Sequence, residues 1–439
     1  MRPLSTQRLS FPALGRMLFW SVIAAAFIGP GTVTTAASAG AAHGLDLLWA
    51  VGLATLGCLL LQEAASRIPI ATGLSLGAAI AHRYPTPQQA WLRYGLVGTI
   101  LLGGVAYQSG NILGAVAGLS LLWPPGAAWF PVICGLGAAL VLWPGRPATI
   151  ARILGMIVAV MGLAFVALAW QLRPPVETVL EATFVPRLPA GSGWLVVGLL
   201  GTTIVPYNLF LGSGLTHTQS VAHMRQGLTL AILLGGLITG AILMVGTQVS
   251  GAFSFAALAE VLAQQLGGGS RPLFALGLFA AGFTSSVTAP LAAALTAQSL
   301  LGAEAPAWQP QGRNFRLVWG LTLIVGVAFA MSGAKPVPAI LLAQALNGLL
   351  LPLVVLILIW MVNDPSLMSA TYRNRWLGNL SLLIVLGFTS LIGLRQLVRA
   401  ASSTFGFSLS ENELVLPILL GLSVTLSLAV GLQINRQLR

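Results

Sequence analysis

Apolar runs of about twenty residues, the length that spans a bilayer core, alternate with short polar turns from residue 17 to residue 434. Twelve runs can be marked, at 17–41, 46–66, 94–118, 128–145, 149–171, 193–215, 226–248, 272–300, 316–332, 338–361, 378–397 and 414–434. They predict twelve membrane-crossing helices, segments 1 to 12. Two runs are interrupted in the middle. Segment 1 contains Gly29-Pro30-Gly31-Thr32, and segment 6 contains Val205-Pro206-Tyr207-Asn208. Proline has no N–H and disfavours helical backbone in the residue before it. Each break therefore frees backbone groups where no water can satisfy them. The broken runs lie five positions apart, so they cross the membrane in opposite directions. Paired breaks of this kind predict an inverted-repeat transporter that holds its substrate between half-helices near the midplane.

Composition narrows the class. Hydrophobic residues make up 56% of the 439 and charged residues only 7%, whereas a soluble domain carries about 25% charged. The fold class expected is an all-α polytopic membrane protein in a lipid bilayer. The net charge of +12 invites a nucleic-acid reading, but its distribution argues against one. Apart from Lys335 the 21 basic residues are arginines, scattered singly between apolar runs. With a cytoplasmic N-terminus, fifteen fall on the inner side, from Arg2 and Arg67 to Arg436 and Arg439. Six fall outside: Arg173, Arg187, Arg271, Lys335, Arg395 and Arg399. That asymmetry orients the chain, places both termini in the cytoplasm, and fits a prokaryotic inner or plasma membrane. The basic start is followed by further spans and is not read as a cleavable signal. Cys58 and Cys134 lie in apolar runs and form no disulfide framework.

No linker separates domains. The organisation expected is a tail (1–16), a first repeat of five segments (17–171), an outer loop (172–192), a second repeat (193–361) and two additional segments with a C-terminal tail (362–439). The outer loop, "RPPVETVLEATFVPRLP" at its heart, is expected to be an extended lid or spacer.

Several stretches resemble the natural-resistance-associated macrophage protein (Nramp) family of divalent-metal transporters. They are "LLLQEAASRIPIATGLSL" (59–76), "TTIVPYNLFLGS" (202–213), "GLFAAGFTSSVTAPLAAALTAQSLL" (277–301) and "LLAQALNGLLLPLVVLILIWMVND" (341–364). The resemblance implies the LeuT-type fold, five plus five inverted segments with two more at the C-terminus. It does not carry the family's functional residues across. The family's first-helix motif reads Asp-Pro-Gly-Asn, whose Asp and Asn ligate the metal; those positions are Gly29 and Thr32. The sixth-helix Met ligand corresponds to Val205, and a later His implicated in proton coupling corresponds to Gly212. Where the third helix of the family carries acids, this chain has Gln108 and Asn111; Asn208 and Gln344 are retained polar positions.

Divalent cations are held by carboxylates, or by carboxylate with thioether or imidazole. Of nine acidic residues, only Glu63 sits inside a span, and Arg67 one turn on is its expected structural or gating partner. His43, His82, His217 and His223 show no ligand spacing. With no anionic ligand at the midplane, the expected substrate is a small anion such as bicarbonate, and transition metals are excluded. The site expected is Gly29, Pro30, Gly31, Thr32, Gln108, Asn111, Val205, Tyr207, Asn208 and Gln344. Half-helix N–H groups and the hydroxyls of Thr32, Thr34 and Thr35 would be its donors. Thr284, Ser285 and Ser286 form a candidate sodium site for symport, and no other cofactor is expected. The alternatives are a magnesium or manganese transporter of the Nramp type, carrying the cation partly hydrated on neutral oxygens, and a transporter of small amino acids or carboxylates. No nucleophile–base pair points to an enzyme; a sensor that binds without transporting stays open.

Overall fold

The computed structural model describes residues 28–143, 148–214, 220–302, 305–405 and 415–438. The tail at 1–16, the first half of segment 1, His217, Glu304, Glu411 and Glu413 lie outside the described residues.

Among the described residues all regular structure is helical, and ten helices are long and apolar enough to cross a membrane. They correspond to segments 2, 3 and 5 to 12. Segment 1 contributes Pro30–His43 after its break. Segment 4 is the short helix Phe130–Leu142, about 20 Å long at 1.5 Å per residue. Exposed Trp129 and Trp143 flank it, the aromatic placement typical of membrane–water interfaces. Leu136, Leu140, Leu163, Trp170, Ile324 and Leu428 are also exposed. These apolar side chains make up the lipid-facing shell of segments 4, 5, 9 and 12.

The packing carries the inverted repeat. Segment 3 (Ala90–Leu122) and segment 8 (Ser270–Leu301) form the central pair. Around them segment 1 packs on segment 7 (Val221–Gly246), and its counterpart segment 6 packs on segment 2 (Leu48–Thr72). Segment 3 meets segments 9 and 10, while segment 8 meets segments 4 and 5. Small residues allow these approaches, as is usual in membrane bundles. A Cβ on Gly118 would stand 2.5 Å from Phe279 N, and one on Gly348 would stand 2.6 Å from Val197 Cγ1.

Three short helices depart from the expectation: Leu76–Arg83, Val176–Phe184 and Phe255–Leu266. Each is too short to register as a span. The outer loop is therefore not simply an extended spacer. Its helix starts at Val176, directly after Pro175 at the cap position. Behind it Arg187 pairs with Glu181 and, at 3.4 Å, with Asp46, while Trp49 Nε1 donates to the Arg187 carbonyl at 2.9 Å. The loop is thus docked on the turn between segments 1 and 2. That turn is made tight by Gly44 at φ +58, and segment 2 ends at Gly73 in the left-handed conformation, a backbone that glycine adopts without strain.

Candidate functional site

Segment 6 divides as its proline predicts. Gly193–Thr203 ends in a hydrogen bond from Ile204 N to Leu200 O at 2.8 Å, and a second helix runs from Pro206 to Gly214. Pro206 cannot donate to the Thr202 carbonyl four residues back, so the break leaves that acceptor to other partners. In segment 1 Gly29 is the extended residue before the helix, Pro30 takes the first helical position, and Val33 N donates to Gly29 O at 3.2 Å. The two breaks lie side by side: Thr32 Oγ1 and Thr202 Oγ1 are 3.1 Å apart and hydrogen-bonded.

Segments 3, 8 and 10 close around this junction. A Cβ on Gly29 would stand 3.5 Å from Ser285 Oγ and 3.8 Å from the Tyr107 hydroxyl. Tyr107 meets Tyr207 edge to face, ring centres 5.5 Å apart. The Gln344 carboxamide lies across Gly31, where a Cβ would fall 2.5 Å from Gln344 Cδ. Pro30 fills the notch at Gly114, seven residues and two turns beyond Tyr107. Asn111 lies between them on the same face of segment 3. It is fully buried, and neither atom of its amide has a hydrogen-bond partner within the protein. Gln344 Oε1 and Thr35 Oγ1 are likewise buried and unpartnered.

The structure therefore brings together Gly29, Pro30, Gly31, Thr32, Tyr107, Asn111, Tyr207 and Gln344. Val205 is buried in the segment 6 break, and the half-buried Asn208 sits in the first turn after it. Gln108 is not brought to the junction. One residue on from Tyr107, it turns about 100° away, donates to Ser286 O at 3.1 Å and lies against Gly326 of segment 9. The three hydroxyls of the candidate sodium site do not all face the segment 1 break. Thr284 Oγ1 donates to Ala280 O at 2.8 Å and Ser286 Oγ to Gly282 O at 2.7 Å. Both are back-bonded to their own helix, the usual habit of such residues, and only Ser285 faces Gly29.

Glu63 is paired as expected, and more extensively. Arg67 Nη2 lies 3.3 Å from its Oε2, and Arg225 of segment 7 reaches its Oε1 from Nε at 3.0 Å and Nη2 at 2.9 Å. Arg67 also donates to the Tyr372 carbonyl at 2.9 Å and to Asn374. Among the described residues no three His, Cys, Asp or Glu side chains converge on a metal-binding position.

Two participants escaped sequence reasoning. Thr202 joins the breaks, and Gln62 occupies the space beside Gly212. A Cβ on Gly212 would collide with the Gln62 amide nitrogen, with Cδ 3.1 Å away. The only sequence signal for Gln62 was the loss of a large side chain at position 212.

Comparison with known proteins bears on the substrate. Residues 21–399 match the family model described as natural resistance-associated macrophage protein-like. A divalent metal cation transporter MntH of Acidiphilium cryptum is 30% identical over 380 residues, covering 80% of this chain and 82% of the relative. The MntH of Verminephrobacter eiseniae is 29% identical over 383 residues, covering 81% and 82%. In fold, the chain resembles a manganese transporter of Eremococcus coleocola at a TM-score of 0.69 and 20% identity, covering 97% of this chain and 95% of that one. It also resembles a nucleobase-cation-symport-1 family transporter at a TM-score of 0.55 and 15% identity, covering 96% and 92%.

These relatives overturn the anion reading, and with it bicarbonate, small carboxylates and the exclusion of transition metals. The structure supplies the physical reason. Proline at the first helical position removes one amide donor, and the Val33 N–H is already engaged by Gly29. Asn111 Oδ1 and Gln344 Oε1 are meanwhile buried acceptors without donors, oxygens that a cation or its bound water can engage, beside the equally unpartnered donor Asn111 Nδ2. With the match running through both breaks and the packing symmetric about segments 3 and 8, this multi-pass integral membrane transporter belongs to the Nramp family.

Proposed function

We propose that the chain carries a divalent metal cation, magnesium or manganese, by alternating access, and holds it partly hydrated on neutral oxygens. The names of the sequence relatives support the cation class. One observation carries the rest: Asn111 is fully buried beside the paired breaks with its whole amide unpartnered. A buried polar group left unpaired costs about 1–3 kcal/mol. Water bound to a divalent cation is a strong donor, and it meets the need of the Asn111 carbonyl oxygen without a carboxylate. Magnesium suits such a site because it gives up its water reluctantly and usually keeps several molecules. Manganese accepts oxygen ligands as well, and Val205 withholds only the soft thioether that the family places there.

Calorimetry on the purified protein with magnesium and with manganese tests this reading. Each is expected to bind, and Asn111→Leu, Thr32→Ala and Asn208→Ala to weaken binding by roughly 5-fold or more, the worth of about 1 kcal/mol. Binding of neither ion, with no uptake of either into proteoliposomes, would refute it.

A further inference from the structure

We infer that in this chain the cation moves without a coupled proton and the membrane potential acting on its own charge drives uptake. The inference rests on the divalent-cation reading above. A coupled proton needs a titratable group that faces the route in one state and is relieved in the other. Among the described residues, the buried charged side chains are Arg67 and Asp364 alone. Asp364 lies beyond the end of segment 10, where it is paired with Arg83. Beside the junction the hydroxyl and amide groups are those of Thr32, Thr35, Tyr107, Asn111, Thr202, Tyr207, Asn208, Ser285 and Gln344. Of these only the phenols titrate at all, at an ordinary value of about 10.

The inner half-helix of segment 6 makes the same point. Gly212 lies one turn beyond Asn208, and the space of its missing side chain is taken by Gln62 from segment 2. A carboxamide neither gains nor loses a proton in the physiological range. Glu63, the one carboxylate within a span, faces Arg67 on its own helix and Arg225 on segment 7, and both of its oxygens are occupied by guanidinium groups. Of the described histidines, His43 ends the outer half of segment 1, and His82 and His223 are exposed at inner helix ends. None lies at the junction.

A divalent ion needs no partner to be accumulated. Each elementary charge gains about 2.3 kcal/mol per 100 mV, so a doubly charged ion equilibrates at about 100-fold accumulation across 60 mV and about 2,000-fold across 100 mV. The test uses the full chain in proteoliposomes whose potential is clamped by potassium and valinomycin. A cation indicator and a pH indicator inside report magnesium and proton entry together. Magnesium uptake is expected to rise with inside-negative potential and to leave internal pH unmoved. Acidification in proportion to the magnesium that enters would overturn the inference, as would accumulation driven by a proton gradient at zero potential. If neither magnesium nor manganese enters under any gradient, the divalent-cation reading falls and the inference falls with it.

Discussion

Gly31→Ala decides whether Gln344 belongs to the cation site or merely packs beside it. The backbone at Gly31 is ordinary α-helix, so alanine meets no strain there and raises helix propensity by about 1 kcal/mol. Its whole adverse effect must pass through the Gln344 carboxamide, whose Cδ would lie 2.5 Å from the new methyl. The amide has to retreat by about 1 Å to regain normal contact, and because it is the far end of a flexible side chain the overpacking cost stays near the lower bound of about 1 kcal/mol. If Gln344 Oε1 ligates the cation or accepts a hydrogen bond from its water, that retreat forfeits about 1–3 kcal/mol. Affinity then falls roughly 5- to 150-fold. The assay is a double-mutant cycle of Gly31→Ala, Gln344→Ala and the pair, read by calorimetric binding of magnesium and by thermal stability in detergent. The pair is expected to bind no worse than Gln344→Ala alone, because the methyl has nothing further to displace. Additive losses, agreeing within about 0.5 kcal/mol, would refute the reasoning, since the methyl would then be acting somewhere other than on Gln344.

Three further outcomes follow from the same geometry. Gly201→Ala places a Cβ 2.5 Å from Gly348 N and closer still to the Gln344 carbonyl, backbone atoms that cannot yield. It is expected to cost about 3 kcal/mol, the upper end of overpacking, seen as a lowered unfolding temperature in detergent. Burial pushes the Asp364 carboxyl up, but hydrogen bonds from Ser366 and Arg83 outweigh it and hold the group below its ordinary value. Its stabilisation is therefore full above a pH of about 4 and lost as pH falls through the lower folded value. Asp364→Asn should flatten that acid limb of the stability profile; an unchanged limb would dismiss the assignment. Gly29→Asp restores the family's carboxylate where a Cβ has normal clearance from Ser285 and Tyr107. At about 4 Å even a well-screened charge attracts a divalent ion by several kcal/mol before desolvation, so manganese should bind at least about tenfold tighter; unchanged affinity would place the ion elsewhere.

The fold was legible because its signals are local. Length and apolarity mark a span whatever it packs against, and Pro30 and Pro206 marked the two breaks from the sequence alone. The helices Leu76–Arg83, Val176–Phe184 and Phe255–Leu266 were not legible as spans, since they are too short to cross. Their start signals were present nonetheless: Ser75 and Ser254 each accept from the amide three residues on, Ala78 and Ala257, the usual N-cap arrangement. The site was legible as far as Gly29 to Thr32, Asn111 and Gln344. What Gln62 does opposite Gly212, 150 residues away in sequence, is an exchange of volume between helices and leaves no local pattern. The substrate was misread because counting carboxylates treats a cation as bare. Acceptors such as Asn111 Oδ1 matter only once it is known that no donor of the protein reaches them.

Gly31 with Gln344 and Gly212 with Gln62 are one device used twice, once in each broken segment. In both, a glycine on a half-helix receives the carboxamide of a helix packed against it, so space is filled while the chemistry at that point becomes neutral. Neutrality has a consequence for the transport cycle. A carrier lined by carboxylates is negatively charged when empty, and a potential that draws the loaded site inward resists the return of the empty one. On the proposed cation reading, the junction among the described residues bears no charge when empty and that of the ion when loaded, so an inside-negative potential acts on the loaded step. The charge missing from segment 1 thus weakens the grip on the ion, by the several kcal/mol that a carboxylate at Gly29 would supply before desolvation. It also leaves the return step free of the field.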